Sequence, residues 1–189
     1  STYRQISRLP DSASDDLRVA WKTALLKDPE NRFWSRGRRR RLEGEAIRDT
    51  MLMVSNDLSQ RRFGPGIRPP LPPELVKTLL KNQWPVSKDA RDYSRRSVYL
   101  FVRRNLRYPL FEAFDKPDTN ASCPQRNEST IAPQALMLLN SDLSLNAAKR
   151  LASSVKSEAG DDPKLQVQAI YRRCLGRKPR SSELELATR

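Results

Sequence analysis

The residues best placed to do chemistry are cationic. Four arginines, Arg38, Arg39, Arg40 and Arg41, run together, and Arg95 and Arg96 form a second pair. Guanidinium groups in such clusters can grip phosphate, sulfate or carboxylate oxygens, which makes these six the candidate anion-binding residues. Most arginine runs are nonetheless solvated faces or partners of acids in the same fold. Neither a helix-turn-helix, zinc-finger or RNA-binding signature nor a phosphate-cradling glycine loop accompanies them. A second group carries oxygen. Asp115, Asp118 and Asn120, with Glu128 nearby, are ligand types that suit calcium, but the EF-hand spacing is absent and turn chemistry explains the same residues. Paired carboxylates also serve glycoside hydrolysis, and here no motif supports that use.

The chain has no histidine. That removes Ser-His-Asp and Cys-His catalysis, histidine-ligated zinc and C-x-x-C-H haem attachment within these 189 residues. Cys123 and Cys174 are the only two thiols, too few to build a zinc site alone. They could pair as one disulfide in an oxidising compartment. Cys123 as a nucleophile would lack a histidine to activate it. Trp21, Trp34 and Trp84 lie among apolar residues, where packing is the default use of an indole.

The elements that must position these groups read as helices. Leu17, Ala20, Trp21, Ala24 and Leu25 recur at helical spacing behind Asp15 or Asp16 as cap. The stretch "RRRRLEGEAIRDTMLMVSNDLS", Arg38 to Ser59, places Leu42, Ala46, Ile47, Met51, Val54 and Leu58 on one stripe, with i,i+4 pairs Arg39–Glu43 and Arg41–Glu45. Arginines at a helix N-terminus oppose the dipole, so acids or a bound anion must hold them there. A Pro-rich connection leads into a short helix from Pro73. Arg95–Leu106 fits helix or strand and is read as helix; "YPLFEAFD" supplies one or two further turns. A polar loop follows, with Asp115 and Asp118 as its expected organisers and Arg126 as a carboxylate partner.

One long helix is expected next, capped by Thr130 and carrying Leu136, Leu139, Leu143, Ala147, Leu151 and Val155. Asp162 and Pro163 open another, which ends at Gly176, and Ser182 with Glu185 form a capping box for the last. The expected fold class is therefore all-α, an irregular helical domain over residues 1–189 with a long polar loop and a Pro-rich connection. No apolar run approaches the ~20 residues of a membrane span. Both ends read as cuts within a longer protein. The formal charge of +14 favours a polyanionic partner without naming it.

Taken in order, "STYRQISR", "DPENRFWSRGRRRRLEGEAIRD", "RRSVYLFVRRN", "YPLFEAFDKPDTNASCPQRNESTIAPQALMLLNS" and "IYRRCLGRKPRSSEL" resemble the planctomycete-specific domain of surface and cytochrome-linked proteins, domain of unknown function fifteen fifty-three. The resemblance covers nearly the whole chain; "LPDSASDDLRVAWKTALL" is its least typical part. It implies a C-terminal module of an exported protein, periplasmic or at the cell surface, lying behind domains that often include a cytochrome. Haem would then belong to an upstream domain, and this fragment would carry no cofactor. The implied partners are those upstream domains and an anionic polysaccharide, with nucleic acid disfavoured by export. The matched polar positions are Arg40, Glu43, Glu45, Arg48, Asp49, Arg95, Arg96, Asp115, Asp118, Arg126, Thr130, Gln134 and Asn140; the family gives them no catalytic role. The expected function is non-catalytic docking. The rivals are a polysaccharide-directed enzyme site shared with the upstream domain, and nucleic-acid binding through the basic face. An enzyme predicts these polar residues converging in one cleft, whereas a structural module predicts them dispersed as caps and ion pairs.

Overall fold

The computed structural model describes residues 6–38, 40–80, 83–104 and 106–188. It is helical, and its described residues include no strand, only isolated bridges. The chain divides into two compact units, Ser1–Arg41 and Leu42–Arg189.

The first unit is built on α1 (Asp15–Lys27). Its cap is Ser14, whose hydroxyl accepts from Leu17 N–H, rather than the expected Asp15 or Asp16, which sit in the first turn where the dipole favours acids. Beyond the helix, Asp28 accepts from the N–H groups of Arg32 at 2.8 Å and Phe33 at 2.9 Å. The Phe33 N–H and the neighbouring arginine charges hold its carboxyl below the ordinary range against the effect of burial. Buried Arg36 then donates to the carbonyls of Ala24, Asp28 and Pro29. No residue of α1 itself is buried.

The second unit starts with α2 (Gly44–Val54), shorter than the expected Arg38–Ser59 helix. Glu43 is extended, so the arginines stand outside the helix and no helical register sets the expected i,i+4 pairs; Arg39 lies outside the described residues. The buried seam is Gly44, Arg48 and Leu52, not the expected stripe: Leu42 and Ala46 are exposed, while Ile47 is half-buried against the core. Gly44 starts the helix because α2 must meet α4 (Pro109–Ala113) there. A Cβ on Gly44 would stand 3.2 Å from the Phe111 Cα. At the other end Asn56 turns left-handed, φ 58°, leaving Leu58 beyond the helix.

After α3 (Pro73–Lys77), the Arg95–Leu106 segment is neither the expected helix nor a strand. It follows a 3₁₀ turn at Ala90–Ser94, forms a second at Ser97–Tyr99, and continues through extended Leu100. Ile67 N–H donates to Tyr99 O and Phe101 N–H to Ile67 O, both at 2.8 Å. Its β-branched and aromatic residues pair with the Pro- and Gly-rich connection instead of closing helical turns. Leu71, Trp84, Leu100, Leu106, Leu110, Phe111 and Phe114 form the core between them.

The expected long helix is two, α5 (Ala132–Asn140) and α6 (Asp142–Ala159). Ser141 is extended and caps α6 by accepting from Ser144 N–H. Ile131 rather than Thr130 occupies the α5 cap position. The break turns Leu136 and Leu139 to solvent, 57% and 70% exposed, whereas Val155 is buried. α7 (Pro163–Leu175) starts at Asp162, whose carboxylate accepts from Lys164 N–H, and ends at left-handed Gly176, as the sequence leads one to expect.

α8 (Ser181–Ala187) begins about two residues before the expected capping box. Glu183 accepts from Arg180 N–H at 2.8 Å and from the Arg177 guanidinium at 2.7 and 2.8 Å. The Arg177 bonds first, then the Arg180 N–H, hold its carboxyl at about 2, against an ordinary 4.5. A depressed folded value stabilises the helix start fully above the unfolded value, and that contribution is lost as pH falls through about 2. A carboxyl NMR titration should therefore find Glu183 with its midpoint near 2, and Arg180 amide exchange should quicken over the same range. A midpoint at the ordinary value would break this account of the cap.

Candidate docking groove

The second unit is framed by buried guanidinium groups. Arg48, on the buried face of α2, donates to Arg95 O at 2.8 Å, Ser97 Oγ at 3.2 Å and Tyr93 O at 2.5 Å. Asp49 beside it accepts from Ser97 N–H at 2.7 Å and Arg96 Nε at 3.3 Å. Arg95, equally buried, donates to Phe63 O at 2.5 Å and Pro65 O at 3.2 Å and stacks on the Tyr99 ring. Irregular backbone leaves carbonyls without ladder partners, and these arginines supply the missing donors.

The polar loop is tied down the same way. Asp115, at φ 58°, accepts from Ser129 N–H and Oγ at 2.8 and 2.7 Å. Gln134 donates to Ala113 O and Ser129 O. Asp118 binds Asn120 N–H and the Arg107 guanidinium, both at 2.9 Å, and the Asn120 N–H leads in lowering its pKa. Arg126 reaches Glu43 at 2.8 Å and Glu45 at 3.1 Å. Burial pushes the Glu45 carboxyl up, yet its own backbone N–H with Arg126 and Lys116 brings it below the ordinary range.

The matched polar residues are thus dispersed through the frame and the loop. Arg38, Arg40, Thr130 and Glu128 are exposed, and Arg41 is half-buried. Of the calcium candidates, Asp115 and Asp118 are engaged by protein donors; among the described residues no three His, Cys, Asp or Glu side chains group to hold a metal. Cys123 and Cys174 are free, exposed thiols. Only Arg48 and Asn140 of the matched set meet at a common cavity, a groove of about 990 Å³.

Arg48, with Leu52, Leu71 and Leu110, all buried, forms its base. The run Pro69–Pro73 lines it, as do Met137 and the α5–α6 junction. Asp57, Glu74, Asp142 and Arg150 line it too. Sequence reading missed these four. Glu74 and Asp142 give only the signal of acids in a helix's first turn, and Asp57 pairs with Arg150 across 93 residues, which no local pattern reveals.

Residues 1–189 match the family model described as PSD1, Protein of unknown function (DUF1553). The chain belongs to this family. No curated protein and no solved structure matches it. For the PSD1 family member in hand, no described helix is long and apolar enough to cross a membrane.

Removing Arg48 would orphan the buried acceptors of Arg95 and Ser97 and the part-buried Tyr93 carbonyl together. Arg48→Ala should destabilise the chain by about 3 kcal/mol or more in urea unfolding. Arg48→Lys should recover less than half, because one ammonium lacks the planar fork that spans these acceptors. A loss near ~0.5 kcal/mol, the surface range, would show that the frame does not rest on Arg48.

Proposed function

We propose that this chain is a non-catalytic docking module of an exported, multidomain protein, seated against neighbouring domains and an anionic surface partner. One observation carries the reading: the polar residues shared with the family pattern are engaged in holding irregular backbone and the loop, rather than gathered around a reacting centre. The polysaccharide-directed enzyme reading requires that convergence. Open helix faces add support. No residue of α7 or α8 is buried, and Leu165, Leu175 and Leu186 are 50%, 57% and 75% exposed. Apolar helix faces of this kind are commonly covered by a partner.

The planctomycete setting, the C-terminal placement, the cytochrome-associated upstream domains and the periplasmic or cell-surface location belong to this proposal and rest on the resemblance. Amide exchange across α7 and α8, compared between this chain alone and the longer natural protein, tests the docking. Slowing of about tenfold or more on those helices is expected, equivalent to ~1.4 kcal/mol of added protection. Identical exchange in both would defeat it.

The net charge of +14 supports the anionic partner. The chain should bind a sulfated glycan in preference to a neutral one, with affinity falling steeply as salt rises. Sequence-selective nanomolar binding to duplex DNA at physiological salt would replace this reading with the nucleic-acid one.

A further inference from the structure

We infer that the groove beside the Pro69–Pro73 wall takes an extended peptide segment that is apolar and carries lysine or arginine. The inference rests on the docking reading and names the partner's chemistry at one place on it.

The uncommitted charge in the groove is acidic, while Asn140, Asn146 and Tyr108 add neutral polar groups to its lining. Its five prolines, Pro69, Pro70, Pro72, Pro73 and Pro109, contribute no backbone N–H. Its two cations are already engaged, Arg48 with the Tyr93, Arg95 and Ser97 oxygens and Arg150 with Asp57. The hydroxyls of Ser94 and Tyr93 donate elsewhere, to Asp57 and to Ser87 O. Glu74 and Asp142 remain as exposed carboxylates with no ion pair to another described residue. In a chain with 36 basic and 22 acidic residues, this lining carries two arginines against three acids.

An occupant must therefore bring positive charge to the exposed carboxylates Glu74 and Asp142. It must also bring apolar side chains to Leu52, Leu71 and Leu110 at the base. An acidic peptide or an anionic glycan would meet Glu74 and Asp142 without a free cation opposite. A groove of about 990 Å³ is ample for several side chains of an extended segment, and a rigid proline wall loses little entropy on binding.

The test uses the 189-residue chain and two labelled heptapeptides. One reads leucine, lysine, proline, leucine, arginine, proline, leucine; the other has glutamate at both charged positions. Fluorescence anisotropy is measured at about 0.15 M salt, where charges beyond ~8 Å are screened. The cationic peptide should bind and the glutamate peptide should not. The double variant Glu74→Gln, Asp142→Asn should weaken binding about fivefold, the scale of two exposed ion pairs. Both positions are exposed, so unchanged circular dichroism will show that the fold is intact. Equal or tighter binding of the glutamate peptide, an unchanged affinity in the variant, or no binding of either peptide would each overturn the assignment. Failure here with α7 and α8 protected in the longer protein leaves docking standing and removes only this groove. Peptide binding without that protection does the reverse.

Discussion

The second unit depends on a side chain doing what secondary structure does elsewhere. The carbonyls of Tyr93 and Arg95 find no partner in helix or sheet, and Arg48 reaches from α2 to satisfy both together with the Ser97 hydroxyl. Such carbonyls would each cost on the order of 1–3 kcal/mol if buried unbonded. Arg95 repeats the device at Phe63 and Pro65, Arg103 at Gln83, and Arg36 at Ala24, Asp28 and Pro29 in the first unit. Guanidinium suits this work because its donors lie in a fixed plane and its charge is permanent. A chain that is irregular over its Pro-rich connection and its 3₁₀ turns consequently needs arginine inside.

That explains which parts of the fold were legible in the sequence. Helix starts that depend on local chemistry could be read directly: Asp162 with Pro163, the Pro73 start, and Gly176 as the left-handed stop. Features set by distant contacts could not. The α2 seam runs through Gly44 and Arg48, two residues that no hydrophobic stripe counts, so periodicity pointed to a neighbouring face. Ser141 breaks one continuous leucine pattern into two helices because its hydroxyl and extended backbone start α6 afresh. Arg95–Leu106 pairs with a connection about thirty residues earlier, which the local pattern, read as helix over strand, could not show. The loop organisers Asp115 and Asp118 were legible because turn-forming acids act on nearby backbone. The groove was not, since its lining comes from five separate stretches.

The arginines act at two distances. At short range the buried ones serve the fold, donating chiefly to backbone oxygens, with Arg48 also 3.9 Å from the Asp49 carboxylate. A carbonyl lowers the energy of a guanidinium without cancelling its charge, so arginines held by backbone oxygens keep their contribution to the positive field. The formal +14 is available to an anionic surface as well. Carboxylates are placed where local geometry needs them, at Asp28, Asp49, Asp115 and Glu183, with few left over. Two that are left over, Glu74 and Asp142, stand together at the groove. Against a positive background screened within ~8 Å, such a local reversal can be read by a partner only at contact distance. Long-range attraction to a polyanion and short-range selection of a cationic segment can therefore coexist on one small chain, each set by a different length scale.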